Sequence, residues 1–230
     1  MINIRQCQIK ISVIVATYNQ ERFIGRCLRS LLHQSLPHTD YEIIVVNDGS
    51  TDRTAYALSQ FCDPQDSIVR VLTNKINAGL PAALNKGIRC SLAPYIIRVD
   101  SDDFVNVNFL NFLLSYLENN SHMDAVACDY LVLDDVEKVL SRENCQKTPI
   151  ACGIMFRKAQ LLEIGLHDEE FLRHEERELR IRFERKYTIH RLEVPLYRYR
   201  RHDKNITNDK AAMERHMSNL IEKHGPSAIS

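Results

Sequence analysis

The sequence predicts an α/β fold built on a mostly parallel sheet, and three observations carry that expectation. Short β-branched apolar runs alternate with amphipathic segments through the first half. Each run is too short to be a buried helix. Each is followed at once by hydroxyl, amide or carboxylate side chains. Strand then helix, repeated, implies parallel strands with helices on both faces. Ligands of such sheets bind beyond the carboxyl ends of the strands, so the polar residues there are where function is sought.

Taken in order, ISVIVATYN (11–19) is the first strand, and Phe23, Ile24, Cys27, Leu28, Leu31 and Leu32 make one apolar face of a helix over 21–33. YEIIVVND (41–48) is the second strand, and 51–61 opens with Ser, Thr and Asp as helix caps. SIVRVLTN (67–74) is the third strand, 80–90 a helix, and YIIRVD (95–100) the fourth strand. FVNVNFLNFLLSYLEN (104–119) then reads as one apolar helix of about four turns. DAVACDYLVLDD and KVLSREN are extended segments about a turn, and IACGIMFRKAQLLEIG is a strand or loop followed by a helix.

Composition limits the function. Lys plus Arg number 30 and Asp plus Glu 30, so no overall charge favours a nucleic acid, and an anionic ligand needs a local arrangement. The seven cysteines are odd in number, scattered and without a C-x-x-C pair, as expected of small core residues in a reducing cytoplasm. The N-terminal residues lack the apolar stretch of a secretory signal, and no apolar run reaches the roughly 18 to 20 residues of a membrane span. The expectation is a cytoplasmic protein without a membrane span.

Three clusters fall at strand ends: Thr17-Tyr18-Asn19, Asn47 to Asp52, and Asp100-Ser101-Asp102-Asp103. Alone, NDGSTD is a turn and helix cap and DSDD a solvated loop. Their shared placement points instead to a crevice, where aspartates can reach a hard divalent cation and the phosphate oxygens it carries. The G-x-x-x-x-G-K-[ST] loop and the G-x-G-x-x-G turn are both absent, which sets aside a P-loop enzyme and a Rossmann dehydrogenase.

In order, SVIVATYN, YEIIVVNDGSTDRT, NAGLPAALNKGI and YIIRVDSDD resemble the family 2 glycosyltransferases, inverting enzymes of the GT-A fold, and the likeness spans about 11–205. The resemblance implies one GT-A domain, with a nucleotide-sugar half at about 8–104, an acceptor half at about 105–207 and a helical tail at 208–230. It implies that Thr17, Tyr18 and Asn19 lie against the nucleoside and that Asp48 accepts from its base, usually uracil. Residues 77–85, with Gly79 and Asn85, form the wall beside the nucleotide. Asp100-Ser101-Asp102 becomes the Asp-x-Asp motif: Asp100 at the ribose or the metal's hydration shell, Asp102 on Mn2+ or Mg2+. Asp103 fits the family's frequent third acid, and Arg98 a variant found among builders of bacterial surface polysaccharides.

FLRHEERELRIRFERKY (171–187) reads first as a helix with a solvated charged face. Laid over the family's EDYELWLRL box, it places Glu175 and Glu176 on the Glu-Asp pair. Glu176 is then the general base for the acceptor hydroxyl, with Glu175 the second candidate. The departures are Glu for Asp, Arg177 for the aromatic and Arg180 for the tryptophan; the added arginines fit an anionic acceptor or surface ion pairing. VPLYRYRRHDKNIT (194–207) resembles the family's ending, a loop over the donor diphosphate. It makes His202 a metal or diphosphate ligand and Arg198, Arg200 and Arg201 supplementary phosphate donors. The tail carries Met213, Met217, Leu220 and Ile221 on one helix face, for packing on the domain, or else for a dimer or membrane-surface contact.

The reading is an inverting, metal-dependent glycosyltransferase acting from a nucleotide sugar, UDP-linked by resemblance, onto a glycan or lipid-linked acceptor, in the cytoplasm or at the inner face of the membrane. The alternatives are a nucleotide-sugar-binding protein without catalysis and a sugar nucleotidyltransferase, whose G-x-G-T-R-L leader is missing.

Overall fold

The computed structural model describes residues 9–62, 68–203 and 210–226, with the backbone alone at 210–213 and 215. The parallel half forms as the sequence predicts. Strands β1 (Ile11–Thr17), β2 (Tyr41–Asp48), β3 (Val69–Asn74) and β4 (Tyr95–Arg98) lie in the order β3-β2-β1-β4, all parallel. Helices α1 (Ile24–Leu32), α2 (Thr54–Ser59) and α3 (Leu80–Cys90) connect them.

The sheet then continues without a break. β8 (Ile154–Arg157) joins β4 antiparallel, followed by β6 (Ala125–Leu133) and the twelve-residue β9 (Ile189–Arg200), with β7 (Val139–Glu143) hairpinned onto β6. The period-2 alternation of the strands divides the core in two. Ile11, Val13, Val15, Ile43 and Val45 face α1 and α4 (Phe109–Asn119), while Ile14, Ile44 and Val46 face α3, α5 (Lys158–Glu163) and α6 (Glu175–Glu184). Four of the cysteines, Cys27, Cys128, Cys145 and Cys152, are buried in or beside these cores.

Three expectations need correction. The helix expected over 104–119 is shorter. Phe104–Val105 is a strand, β5, paired with Tyr197 and Arg198, and the Asn106 amide carbonyl accepts from the backbone of Asn108 before the helix begins. The charged helix is not a purely solvated one, because Glu175 and Glu178 on its first turn are buried. Residues 194–200 of the 194–207 segment belong to β9 and 201–203 follow it, while residues 204–207 lie outside the described residues. The side chain of Met213 lies outside them too, but the tail forms α7 (Lys210–His224) and buries Leu220 completely.

Candidate active site

Two loops at the end of the parallel half are laced together. Asn19 has φ 53°, a conformation that Asn tolerates better than most residues. Its side-chain oxygen accepts from the amides of Thr51 (2.8 Å) and Asp52 (3.3 Å), while its own amide donates to Ser50 Oγ. Asp48, 3% exposed, accepts from Asn74 Nδ2 (2.7 Å) and from the amides of Ala78 and Gly79. Three donors leave about one free lone pair on a carboxylate. Asp48 thereby shapes the 77–79 turn.

Gly49 lets these loops meet. Its φ is +72°, and a Cβ there would lie 2.6 Å from the carbonyl carbon of Ile76. Backbone cannot swing aside, so Gly49→Ala is expected to cost about 1–3 kcal/mol, read as a fall in the denaturation midpoint.

The carboxylates close on β9. The amide of Asp100 donates to the Tyr197 hydroxyl (3.0 Å), which donates to Asp103 Oδ2 (2.8 Å); Asp103 Oδ1 accepts from the amide of Arg200 (2.7 Å). Burial, with Asp102 and Asp100 nearby, pushes the Asp103 carboxyl up. Asp103 is therefore a staple between the acidic turn and β9. The staple sets His202, two residues past Arg200, with Nε2 2.9 Å from Asp102 Oδ2 and its ring over Phe23.

Arg98 joins the two halves of the site. It donates from Nε to Asp100 Oδ1 (2.6 Å) and from Nη1 to Glu175 Oε1 (3.0 Å). Burial opposes its charge, and the two carboxylates more than offset that. α6 begins after His174, which has left-handed φ, and its first turn carries three acids that suit the positive end of the helix dipole. Glu175 is 5% exposed, and burial pushes its carboxyl up to about 7, with Arg98 pulling down and Glu176 pushing up. The unfolded chain releases this proton near the ordinary 4.5, so the folded state holds more protons between the two values. Stability should fall, by on the order of a few kcal/mol, as pH rises from about 4.5 to about 7. Urea unfolding across that range should show a shallower slope in Glu175→Gln.

A crevice of about 300 Å³ lies between these groups, lined by Asp100, Ser101, Asp102, Glu175 and Glu176, with Ile150, Ala151, Arg173 and Tyr199 as its farther wall. Ala16, Gln20 and Leu80, the chain neighbours of Thr17, Asn19 and Gly79, line the crevice, whereas Thr17, Tyr18, Asn19, Asp48 and Gly79 are not themselves in its lining. The Thr17 hydroxyl is buried with no hydrogen-bond partner among the described residues.

Several expected residues are elsewhere. Asn85 is 1% exposed, and its amide holds the backbone of His167 on both sides, so it braces the 167–169 loop instead of facing a nucleotide. Arg200 is buried over Phe23 and Phe104 and donates to Asp102 O and Glu137, and Arg198 donates to the carbonyls of Pro195 and Tyr197. Both serve the fold, unlike the exposed Arg201. The sequence reading gave no role to Ile150, Ala151, Arg173 and Tyr199, although Arg173 and Tyr199 lie in two of the stretches it singled out.

It also missed the anchor of α6. Glu178 is fully buried and accepts from Arg182 Nε (2.8 Å), Lys223 Nζ (2.8 Å) and His224 Nε2 (3.1 Å), so the tail helix clamps the helix that bears Glu176. Arg185 donates to His224 Nδ1, which leaves the proton on Nε2 for Glu178. Glu178→Ala would take the shared acceptor from Arg182, Lys223 and His224 and is expected to cost about 1–3 kcal/mol in chemical denaturation.

The residues that fit a divalent cation are Asp102 and His202, an oxygen and an imidazole donor already side by side. Asp100, Asp103 and Cys152 also converge within 4.8 Å. That trio fits less well, because Asp103 is engaged by Tyr197 and Arg200, and burial pushes the Cys152 thiol up, away from the thiolate that metals take.

A parallel half continued by a mixed half, in which β6 and β9 run parallel and β8 antiparallel to its neighbours, with carboxylates where the halves join, defines a GT-A fold. Two solved structures share it across most of the chain. Staphylococcus aureus TarS 1–349 in complex with UDP-GlcNAc has a TM-score of 0.78 at 21% identity, over 94% of this chain and 66% of that one. The mannosyltransferase PcManGT of Pyrobaculum calidifontis, in complex with GDP-Man and Mn2+, has a TM-score of 0.73 at 17% identity, over 93% and 63%. Residues 12–176 match the profile of glycosyl transferase family 2, and the chain belongs to that family. Among curated relatives, an uncharacterized glycosyltransferase of Haemophilus influenzae is 36% identical over 116 residues, covering 50% of this chain and 35% of its own. The poly(ribitol-phosphate) beta-glucosyltransferase of Bacillus spizizenii is 41% identical over 98 residues, covering 42% and 15%. The match thus spans about a third or less of these two relatives. Among the described residues no helix is long and apolar enough to cross a membrane.

Proposed function

We propose that the protein transfers a sugar, with inversion, from a nucleoside-diphosphate sugar to a hydroxyl of a glycan or lipid-linked acceptor in bacterial surface-polymer synthesis. One observation carries the reading: Asp102 and the Glu175-Glu176 pair stand in the walls of a single crevice, with His202 bonded to Asp102. The solved relatives with UDP-GlcNAc and with GDP-Man and Mn2+ support it.

The nucleoside lies along Thr17 to Asn19 and the turn shaped by Asp48, and a UDP donor is the first expectation. Asp102 and His202 would hold Mn2+ or Mg2+, whose Lewis acidity offsets the charge that gathers on a departing diphosphate. Glu176 takes the proton of the attacking hydroxyl, and a single displacement from the face opposite the leaving group inverts the anomeric centre. Glu175 is held by Arg98, whereas Glu176 is half-buried in the crevice wall, so Glu176 is the base and Glu175 its positioning partner. Arg173, in the crevice wall, is placed to meet further negative charge. A lipid-linked acceptor would bring the protein to the inner face of the membrane.

Calorimetric titration with UDP, GDP, dTDP and CMP, with and without Mn2+, tests the donor site. Metal-dependent binding of one of the diphosphates is expected. Absence of binding to all of them would overturn the reading.

A further inference from the structure

Next to Glu176 lies a second, smaller cavity. It holds about 60 Å³ between the sheet and α3, α5 and α6, and it shares Arg98, Pro149, Ile150, Ala151 and Glu176 with the crevice. Its inner wall is apolar, formed by Ile14, Leu84, Ile154, Phe156, Leu161 and Leu179, each at most 9% exposed. Protein interiors keep few voids larger than a water molecule, so one beside a reacting carboxylate asks for an occupant.

Arg98, Glu176, Arg177 and Arg180 also line the cavity, and with them a buried imidazole, His167. His167 is buried, and its backbone amide and carbonyl are taken by Asn85, but its Nδ1 has no hydrogen-bond partner among the described residues. Burial, and then Arg98 and Arg182, lower the imidazole to about 3, so the ring is neutral near pH 7. A neutral ring nitrogen is a donor or an acceptor according to tautomer, and leaving it unmet costs about 1–3 kcal/mol.

From this geometry we propose that the side cavity receives an acetamido group carried by the acceptor sugar while the attacking hydroxyl stands at Glu176. The inference rests on the glycosyl-transfer reading, since it needs an acceptor there. The acetyl methyl matches the apolar wall. The amide beside it offers both an N–H and a C=O, so it completes His167 Nδ1 in either tautomer. An ammonium group would lose its hydration against the apolar wall and meet the like charges of Arg98, Arg177 and Arg180, which also line the cavity. A long hydrocarbon exceeds the volume, because a water molecule's share of liquid is already about 30 Å³.

The probe is N-acetylglucosamine labelled with 13C in its acetyl methyl, compared with glucose, on the full chain with UDP bound. The expected result is binding about tenfold tighter than glucose. Nuclear Overhauser effects should run from the acetyl methyl to Ile154, Leu161 and Leu179. Ile154→Phe and His167→Phe should each remove the preference while leaving UDP affinity unchanged. Equal affinity for the two sugars, no binding of either, or effects confined to Leu80 and Tyr199 would overturn the proposal. UDP affinity separates the two ideas: if UDP binds and the acetyl group is not preferred, this inference alone falls, whereas failure of all the nucleotides removes the reading beneath it. Should the Phe variants not fold, the effects in the unaltered chain decide.

Discussion

Glu176→Gln should lower sugar transfer by about a hundred- to ten-thousand-fold, the usual worth of a positioned base, while nucleotide affinity and the denaturation midpoint stay near those of the unaltered protein. The amide keeps the shape of the side chain and loses only the ability to take a proton. Glu175→Gln is the control. Its amide can still accept from Arg98, so a smaller loss is expected, seen in the rate constant more than in the acceptor KM. If Glu175→Gln, folded, is the more damaged of the two, the base is Glu175 and the roles exchange.

Asp102→Ala should remove the metal-dependent part of nucleotide binding. Groups that merely support a metal's ligands are worth about 10- to 100-fold in metal affinity, so a direct ligand should cost at least about a hundredfold. Titration with UDP is expected to give the same weak isotherm with Mn2+ and with a chelator. His202→Ala should fall between the two, because Asp102 remains. An Asp102→Ala protein that still binds UDP in a Mn2+-dependent way would move the ion to the Asp100, Asp103 and Cys152 trio.

The parallel half was legible because its signals are local. Ile11 to Thr17 and Tyr41 to Asp48 declare themselves by β-branching and length, and the residues after them fall at the crevice because strand direction dictates it. What was hidden depends on partners far along the chain. Phe104 and Val105 look like the start of a helix until β9 pairs with them, more than ninety residues later. Glu178 looks like one of many surface acids until Lys223 and His224 bury it. Arg198 and Arg200 sit in the stretch that resembles a diphosphate loop, yet β9 runs through to Arg200 and directs both side chains to the protein's own oxygens. Ile150 and Ala151 had no signal, since apolar residues become a wall only when a ligand-sized space stands before them.

Arg98 leaves one consequence for anyone who would redirect this protein to new substrates. Because a single guanidinium grips Asp100 with one edge and Glu175 with another, donor and acceptor preferences cannot be tuned as separate modules by changing these three positions. Every alteration there would be transmitted across the join. Libraries aimed at the acceptor should hold residues 98, 100 and 175 constant and vary 150, 151, 173 and 199, the side chains that border the space without sharing in that grip.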